Sequence, residues 1–278
     1  MMIATTPRLE PSLASTPSIP DPARGARKHA GLAAAKSAQS GLFSAASNDN
    51  TRHPLARFAL FAQTPDAMLE ILARDMTRQH FDSGERVWAT GAPASHINLI
   101  VSGIVEIERT RRSGDGVVLG LFGAGECVGL PAMLTGAHYP ADALALSGSV
   151  ELLQIRASSV LQLMRQYLPL ALAVNHALLK HNAALQASLE IVGAGTVPKR
   201  LAALFLFLGK RFGRTDRLGM LHLNLALSRE QIGRLVGARV ETVIRVISRW
   251  QKADWLTTSR DGIQISRVDM LQRISDAG

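Results

Sequence analysis

The sequence has a single cysteine, few aromatic side chains and no long apolar run. Cys127 alone among 278 residues excludes an internal disulfide, a cysteine-rich zinc module and an iron–sulfur cluster held by this chain's own thiolates, and it favours a reducing compartment. The most apolar stretch, 201–208, is too short to cross a bilayer. The N-terminus lacks the apolar core of a signal peptide. We therefore expect a cytoplasmic protein with no membrane partner.

Patterns typical of an enzyme are also missing. An enzyme would need a nucleophile next to a base, a metal cluster or a phosphate-binding loop, and no residues in the sequence have the context that such a site requires. The glycines at 123, 125 and 129 do not have the dinucleotide-binding spacing and lie among short β-rich runs. We predict a protein that is not an enzyme, with no catalytic residue and no metal site.

Positive charge is concentrated near the C-terminus. The chain has a formal net charge of +9, and residues 198–278 hold 15 basic and 7 acidic side chains, against 11 and 12 over residues 51–197. Phosphate neutralisation supplies most of the non-specific affinity for nucleic acids. The distribution favours a polyanion as partner of the C-terminal part, and a basic solubilising surface is the alternative.

The N-terminal two thirds divide into three segments by composition. Residues 1–50, rich in Ala, Ser and Pro with one aromatic side chain, predict a disordered arm. Over 54–78, apolar residues at helical spacing after Thr64-Pro65 predict a helical lead-in. Between Gly84 and Gly148 lie 11 of the 23 glycines. They separate short β-rich runs at 86–88, 97–101, 104–107, 117–122 and 150–155, which predict an antiparallel β-roll domain over 51–167.

One of these runs alternates apolar and charged side chains. Val105 and Ile107 lie between Ile104, Glu106 and Glu108. Such alternation is expected where one face of a strand is buried and the other is wet. We therefore expect the carboxylates to face water.

Residues 168–195 predict a long helix that ends in a hinge at Gly193-Ala194-Gly195. A stripe with spacings of three and four follows the helix and is typical of a coiled-coil seam. Its members include Val174, Leu178, His181, Leu185 and Val192. Homodimerisation through this stripe is the favoured interpretation, and packing of the helix on its own β-roll is the alternative.

The segment from Ser228 to Trp250 predicts a helix-turn-helix. Ser228, followed three residues later by Gln231, is a capping box that starts a helix, and Gly237 permits the tight turn. The expected core faces are Ile232, Leu235 and Val236 on the first helix, and Val240, Val243, Ile244, Ile247 and Trp250 on the second.

The second helix carries residues suited to reading DNA bases. Arg239, Thr242, Arg245 and Arg249 share or adjoin one face, and Glu241 stands beside them. An arginine can donate two hydrogen bonds to guanine O6 and N7, and a glutamate can accept one from cytosine N4. An ordinary ion pair between Glu241 and Arg245 is the alternative.

Two short β runs after this helix, joined through Asp261-Gly262, predict a wing. Arg260 lies at its tip, where it can meet a phosphate or remain solvated. Residues 196–278 therefore predict a winged helix-turn-helix domain, and the whole chain an α+β fold.

The order of these elements resembles the CRP/FNR superfamily of bacterial transcription regulators over residues 54–275. Matching pieces are Phe81-Asp82-Ser83-Gly84-Glu85 with Gly91, the strand end at 99–103, and the helix start at Ser228. The hexapeptide Val-Glu-Thr-Val-Ile-Arg at 240–245 is similar to the FNR/FixK branch, whose recognition helices read TTGA-type half-sites.

The resemblance implies a role for each matching residue. Glu241 and Arg245 are implied as the principal base readers, and Ser228 and Arg229 as contacts to the DNA backbone. The FNR branch usually has Ser where this chain has Ile244. We expect a homodimer that binds a palindromic operator in double-stranded DNA, with two recognition helices in successive major grooves, and that contacts RNA polymerase. Arg239 and Thr242 are further candidate base readers, and Arg249 and Arg260 further backbone contacts.

The sensor half departs from the family's patterns. Where cyclic-nucleotide members have Gly-Glu and then Arg-Ser, this chain has Gly129-Leu130-Pro131 and His138-Tyr139-Pro140. A buried phosphate without its arginine is costly, so we expect no cyclic nucleotide. The four cysteines of the FNR cluster are also absent.

Three interpretations of the sensor half remain. In the favoured one the roll is a scaffold without cofactor, and abundance controls the regulator, as in FixK-like members. In the second, haem, nitric oxide or another small ligand binds, with candidate axial ligands His80, His96, His138, His176 and His181. In the third, Cys127 is oxidised. A ligand-binding module without DNA binding is a further, less favoured class.

Overall fold

The computed structural model describes residues 52–110 and 116–276. The arm predicted over residues 1–50 lies outside this range. The described chain forms a lead-in segment, a curled antiparallel sheet, a long helix and a small helical domain with its own sheet. The predicted α+β fold is thus confirmed. No helix in the described ranges is long and apolar enough to cross a membrane.

The lead-in begins with a 3₁₀ turn, Pro54–Arg57, followed by helix α1, Asp66–Arg74. Pro65 precedes the first helical residue, as its signal predicted. The helical pattern ends earlier than expected, because the chain becomes extended at Thr77. Leu55 and Phe61 anchor the segment, since both side chains are fully buried in the roll's outer core.

The roll is a six-stranded antiparallel sheet. Its strands are β1 Thr77–Phe81, β2 Arg86–Trp88, β3 His96–Thr110, β4 Gly116–Gly123, β5 Cys127–Val128 and β6 Asp142–Arg156. They pair in the order β1-β6-β3-β4, with β2 on β6 and β5 on β3. Strands β3 and β6, both 15 residues long, pair with each other at the centre of the sheet.

Two runs that the sequence predicted as separate strands form a single strand in the structure. The runs at 97–101 and 104–107 both belong to β3, whose register with β6 shifts around Gly103. Gly103 has a φ of +82°, and a Cβ there would lie 2.7 Å from the carbonyl oxygen of Ser149. The glycine therefore bends a continuous strand instead of ending it.

The prediction of a wet face on β3 is wrong for Glu106. Its side chain is fully buried, whereas that of Glu108 is partly buried. The C-terminal domain packs on this side of the sheet and excludes water. Strand alternation gives the two faces correctly but does not show what covers each face.

Two short helices complete the roll: α2 Leu130–Thr135 and α3 Ala157–Gln166. Near α2, the ring of Tyr139 stacks on Trp88 with a centroid distance of 4.2 Å. The Trp88 indole also donates a hydrogen bond to the carbonyl of Ala141, at 3.0 Å. These contacts tie β2 to the end of the α2 loop.

Helix α4, Leu168–Gly193, packs one side on the roll. Val174 is 1% exposed, Leu178 packs on the same apolar cluster, and His181 lies 2.8 Å from the carbonyl oxygen of Cys127. These three residues of the predicted seam therefore make the alternative contact, with the chain's own roll. Leu185 remains 39% exposed and Val192 is half-buried.

A different side of α4 is apolar and exposed. Leu172, Leu179 and Leu189 are 53%, 60% and 65% exposed. Together with Asn175, Asn182 and Gln186 they follow spacings of three and four along the helix. We call these six residues the outer stripe.

The C-terminal domain follows a break at residues 194–196. Its helices are α5 Val197–Phe212, α6 Arg229–Val236, α7 Val240–Lys252 and α8 Val268–Asp276. Its strands are β7 Arg214–Thr215, β8 Leu221–Leu223, β9 Leu256–Thr258 and β10 Ile263–Ile265, in the order β7-β8-β10-β9. In its core, Phe205 meets Trp250 edge to face, and Trp250 stacks on Trp255 with centroids 6.1 Å apart.

Candidate nucleic-acid interface

The first helix of the helix-turn-helix starts at the predicted capping box. The Ser228 hydroxyl accepts a hydrogen bond from the Gln231 amide at 3.0 Å, and the Gln231 side-chain oxygen accepts one from the Ser228 amide at 2.7 Å. Two amides without helical partners are thereby satisfied. The box fixes where α6 begins.

The turn between α6 and α7 depends on two glycines. Gly237 ends α6 in the left-handed region, with a φ of +61°. Gly233 permits the close approach of the turn, because a Cβ there would lie 2.9 Å from the carbonyl oxygen of Ala238. Ala238 lies in the turn, and its amide donates a hydrogen bond to the carbonyl of Gly233 at 2.9 Å.

Helix α7 buries a slightly different face from the predicted one. Val243, Ile247 and Trp250 are buried as expected, but Val246 is also buried and Ile244 is 45% exposed. Positions 243, 246, 247 and 250 follow one helical stripe, from which 244 departs. Ile244 is therefore an apolar residue on the outer face of α7.

The outer face of α7 presents the main candidate base readers. Glu241, Arg245 and Arg249 are exposed beside Ile244. The predicted alternative, an ion pair between Glu241 and Arg245, is not formed, since no salt bridge joins them. Both charged groups are thus available to a ligand.

The other two candidate base readers lie at the start of α7. Arg239 is the N-terminal capping residue and is exposed, although its side chain makes no capping hydrogen bond. Thr242 is half-buried. The exposed face of α7 is therefore formed chiefly by positions 239, 241, 244, 245 and 249.

Arg229, a candidate backbone contact, also links α6 to the wing. Its guanidinium donates a hydrogen bond to the Thr258 hydroxyl at 3.0 Å, and the Gln251 amide donates to the same oxygen at 3.2 Å. Partial burial lowers the pKa of Arg229, but an arginine stays protonated in proteins. The sequence did not predict this anchoring, because it joins residues 29 positions apart.

The predicted wing is present as strands β9 and β10. The Ser259 amide donates to the carbonyl of Gly262 at 2.8 Å, and Gly262 has a φ of +144° that favours glycine. Arg260 is exposed at the tip. The hydrogen bond between Arg229 and Thr258 thus holds the wing against the start of α6. Ser228 and Arg229 lie at the start of this helix, and Arg260 lies at the tip of the wing.

The roll contains a cavity of about 440 Å³ beside α4, lined by the lead-in, β5 and the first half of the helix. His176 and His181 line it, but His80, His96 and His138 do not. The His181 ring packs on Phe122 with centroids 4.5 Å apart, and its Nε2 meets the Cys127 carbonyl. Burial lowers the pKa of His181 and thereby favours the neutral ring.

Cys127 also lines this cavity, where it is 7% exposed. Burial raises the pKa of its thiol to about 12, with the nearby Glu126 carboxylate adding to the effect. Because the thiolate is the species that is oxidised readily, the thiol is poorly suited to redox sensing. Across residues 52–110 and 116–276, no group of three His, Cys, Asp or Glu side chains is arranged for a metal ion.

The stretch at the position of the family's phosphate cassette is apolar and internally bonded. Gly129 is the N-terminal capping residue of α2, and Leu130, the first residue of this helix, is fully buried. The Tyr139 hydroxyl donates to the carbonyl of His96 at 3.1 Å. Residues 129–141 contain no lysine or arginine, so this stretch offers neither an ammonium nor a guanidinium group to a phosphate.

Polar contacts between described residues join the C-terminal domain to the roll, and the sequence did not predict the following ones. The Arg211 guanidinium donates to both carboxylate oxygens of Glu126 at 2.7 Å. The Gln231 side-chain amide donates to the carbonyl of Leu146 at 2.8 Å. Arg234 faces Glu106 and Glu108, at 3.6 Å and 3.5 Å. Each contact is between residues far apart in sequence.

Comparison with family models matches both halves of the chain. Residues 78–167 match the cyclic nucleotide-binding domain, and residues 199–274 match the Crp-like helix-turn-helix domain. The two matches together span more than half of the chain.

Two curated relatives are each 25% identical to this chain over 224 residues. One is the CRP-like cAMP-activated global transcriptional regulator of Mycobacterium tuberculosis, with 79% of this chain and 97% of the relative covered. The other is the fumarate nitrate reduction regulatory protein of Klebsiella oxytoca, with 78% and 85% covered.

Among solved structures, FixK2 from Bradyrhizobium japonicum superimposes with a TM-score of 0.63. It is 20% identical in sequence, with 73% of this chain and 98% of that chain covered. At this identity the likeness concerns the fold: a curled sheet, a long helix and a helix-turn-helix domain in the same order.

Proposed function

The chain belongs to the CRP/FNR family, whose members are DNA-binding transcription regulators and not enzymes, and from that premise we propose its operator, its assembly and its ligand dependence. It binds as a homodimer to a palindrome with TTGA-type half-sites, without a cyclic nucleotide or other cofactor, and it contacts RNA polymerase. The observation that carries this proposal is the pair of exposed side chains Glu241 and Arg245 on α7, one helical turn apart and without an ion pair between them.

This pair suits the single G·C pair of a TTGA half-site. The Arg245 fork matches guanine O6 and N7, and Glu241 can accept a hydrogen bond from cytosine N4. Ile244 lies on the same face and is 45% exposed, which suits contact with a thymine methyl group. A half-site that combines thymines with one guanine therefore fits the three side chains.

The remaining candidate residues suit contact with phosphates. Ser228 and Arg229 lie at the start of α6, where amides and cations favour an anion. Arg249 extends the exposed face of α7, and Arg260 lies at the wing tip. We assign these four residues to positioning the domain on the duplex, because phosphate contacts carry little sequence information. Arg239 and Thr242 complete the proposed base-reading set.

The proposed dimer contact is the outer stripe of α4. Leu172, Leu179 and Leu189 expose large apolar surfaces along a stripe with spacings of three and four, and a second copy of the helix would cover them. Asn175 and Asn182 within the stripe favour one register, since polar residues in a seam disfavour shifted alignments. A two-fold dimer presents two α7 helices to a palindrome.

Independence from cyclic nucleotides is supported by the roll itself. The stretch 129–141 has no lysine or arginine, and Leu130 and Tyr139 are buried within it. A buried phosphate needs charged partners. FixK-like control by abundance is therefore the favoured mode of regulation.

Selection of genomic fragments by the purified protein, with an absorption spectrum of the same sample, tests the proposal. We expect enriched TTGA-type palindromes from a colourless, ligand-free preparation. The matched variant Arg245→Ala should lose the preference for the guanine, whereas Lys252→Ala, which removes an exposed charge at the end of α7, should keep it. Enrichment of an unrelated motif, or none without an added effector, would contradict the proposal.

A second candidate function is an effector-gated regulator, favoured by the cavity beside α4. A ligand there would contact Glu126 and Phe122, and both touch Arg211 of the C-terminal domain, with the guanidinium carbon 5.9 Å from the Phe122 ring centroid. The Nε2 of His181 is already engaged with the Cys127 carbonyl, which leaves His176 as the candidate axial ligand for haem among the histidines that line this cavity. This function would be favoured if operator selection required an added effector. The variant Ala177→Phe, which fills the cavity, should then abolish the dependence on the effector.

A further inference from the structure

We propose that the DNA-binding domain is held on the roll by a proton-dependent contact, in which Arg234 of α6 faces the carboxylates of Glu106 and Glu108. The proposal concerns the docking of the two halves of the chain and does not rest on the operator or the dimer proposed above.

The contact lies inside the junction between roll and C-terminal domain. The side chain of Glu106 is fully buried, 3.6 Å from the Arg234 Nη2. Glu108, two residues along β3, lies 3.5 Å from the Arg234 Nε. These are ion-pair distances, and neither carboxylate oxygen of Glu106 has a hydrogen-bond partner among the described residues.

Two carboxylates thus share one guanidinium. The charged groups acting on Glu106 within the described chain are Arg234 and Glu108. The neighbouring strands β4 and β6 place Leu121 and Leu144 opposite it. With Glu106 protonated, one carboxylate balances one guanidinium. With Glu106 ionised, the junction contains an excess negative charge, which is costly in a buried site.

The titration of Glu106 supports this charge count. Burial raises its pKa from 4.5 to about 7, Glu108 adds to the rise, and Arg234 opposes it. The group therefore changes charge near neutral pH while the domains are docked.

Docking is what buries Glu106. Arg234 and Gln231 lie on α6, and Gln231 holds the Leu146 carbonyl of the roll at 2.8 Å. Apolar residues of the roll belong to the same buried cluster as the C-terminal core, namely Ile104, Val118, Leu121 and Leu146. Separation of the domains would return Glu106 to water and its pKa toward 4.5.

The sign of the pH effect follows from these pKa values. Between pH 4.5 and 7 the docked state binds more protons than the separated state, so protons stabilise docking. As pH rises through 7, the docked state loses this advantage. For one proton, the docking equilibrium should fall about tenfold between pH 6 and pH 8.

Hydrogen–deuterium exchange of the full-length protein at pH 6, 7 and 8 tests the inference, after correction for the intrinsic exchange rate. Protection of α6 and of the β3–β4 pair should fall about tenfold from pH 6 to pH 8. Protection of the β1–β6 pair, which lies away from the junction, should stay constant and serves as the internal reference. Unchanged protection of α6 across this range would overturn the proposal.

Two variants sharpen the test. Glu106→Gln carries a permanently neutral amide, so its α6 protection should no longer depend on pH. The control Glu151→Gln alters a partly buried carboxylate elsewhere on the roll, where it pairs with Arg78 at 2.8 Å, and should keep the wild-type pH profile. A wild-type profile in Glu106→Gln would overturn the proposal. Should that variant fail to fold, the wild-type titration decides alone.

Discussion

The C-terminal domain has an outer and an inner side, and charged residues of the same types are exposed on the outer side and paired on the inner side. On the outer side, Glu241, Arg245 and Arg249 are exposed and form no ion pair with the described residues. On the inner side, Arg234 and Arg211 face carboxylates of the roll, Arg211 at 2.7 Å. The outer charges are solvated at little cost and are free to contact a ligand, whereas the inner ones pair with the roll and hold the C-terminal domain against it.

The difference shows that residue type alone does not distinguish a candidate base-reading arginine from one that packs against the roll. Arg234 and Arg245 lie on adjacent helices of one motif, and both belong to the basic C-terminal excess. Their roles diverge because the sheet of the roll covers α6 and leaves the outer face of α7 in water. The variants below are chosen to separate the two roles.

The largest effect on stability is expected from Arg234→Ala. It leaves two carboxylates at the junction without their cation, and such a loss in a fully buried pair costs about 3–5 kcal/mol. Because the Arg234 side chain is 37% exposed, solvent screens the interaction. We therefore expect the free energy of unfolding, measured in urea, to fall by on the order of 2 kcal/mol. The double variant with Glu106→Gln should recover part of the loss. A cost as small as that of Arg249→Ala would show that the junction does not depend on this charge.

Arg245→Ala should act on the other side of the motif, with no loss of stability. We expect it to weaken operator binding by about 1–3 kcal/mol and to relax one base position, because a bidentate contact with guanine is removed. Competition binding against all single-base variants of the operator measures both effects. Equal weakening on every sequence would assign Arg245 to the DNA backbone.

Arg229→Ala should weaken binding to all sequences alike, by about 1 kcal/mol, and reduce the salt dependence by about one ion. The control Thr258→Val removes the hydroxyl that holds Arg229 but keeps the charge, so its salt dependence should match the wild type. A change of base preference in Arg229→Ala would instead make this residue a base reader.

The smallest effect is expected from Ile244→Ser, at about 0.8 kcal/mol for the loss of apolar contact with one thymine methyl. Operators with uracil in place of single thymines provide the measurement. Wild-type protein should bind one uracil-substituted operator more weakly, and the variant should bind both forms equally. Equal wild-type affinity for every uracil operator would exclude the methyl contact.

Features that depend on neighbouring residues could be predicted from the sequence. The capping box at Ser228 and the turn at Gly237 involve partners three or four residues away, so the pattern itself specifies the geometry. The same holds for the wing, where Asp261-Gly262 joins two strands that pair directly. These elements gave the motif and most of its candidate residues.

Features that depend on distant parts of the chain could not be predicted. Glu106 reads as a wet position because alternation does not show that α6 lies above it. The stripe through Val174 reads as a dimer seam because an apolar helix side is equally consistent with a partner and with the chain's own roll. Ile244 reads as core because hydropathy does not distinguish a buried isoleucine from one exposed on the outer face of a helix.

The three tryptophans of the chain divide between its halves in a way that supplies an optical reporter. Trp250 and Trp255 stack in the core of the DNA-binding domain, whereas Trp88 stacks on Tyr139 in the roll. In a Trp88→Phe variant, tryptophan fluorescence, excited selectively over that of tyrosine, would arise from the DNA-binding domain alone. The unfolding of that domain can then be followed separately from the roll, without any attached dye.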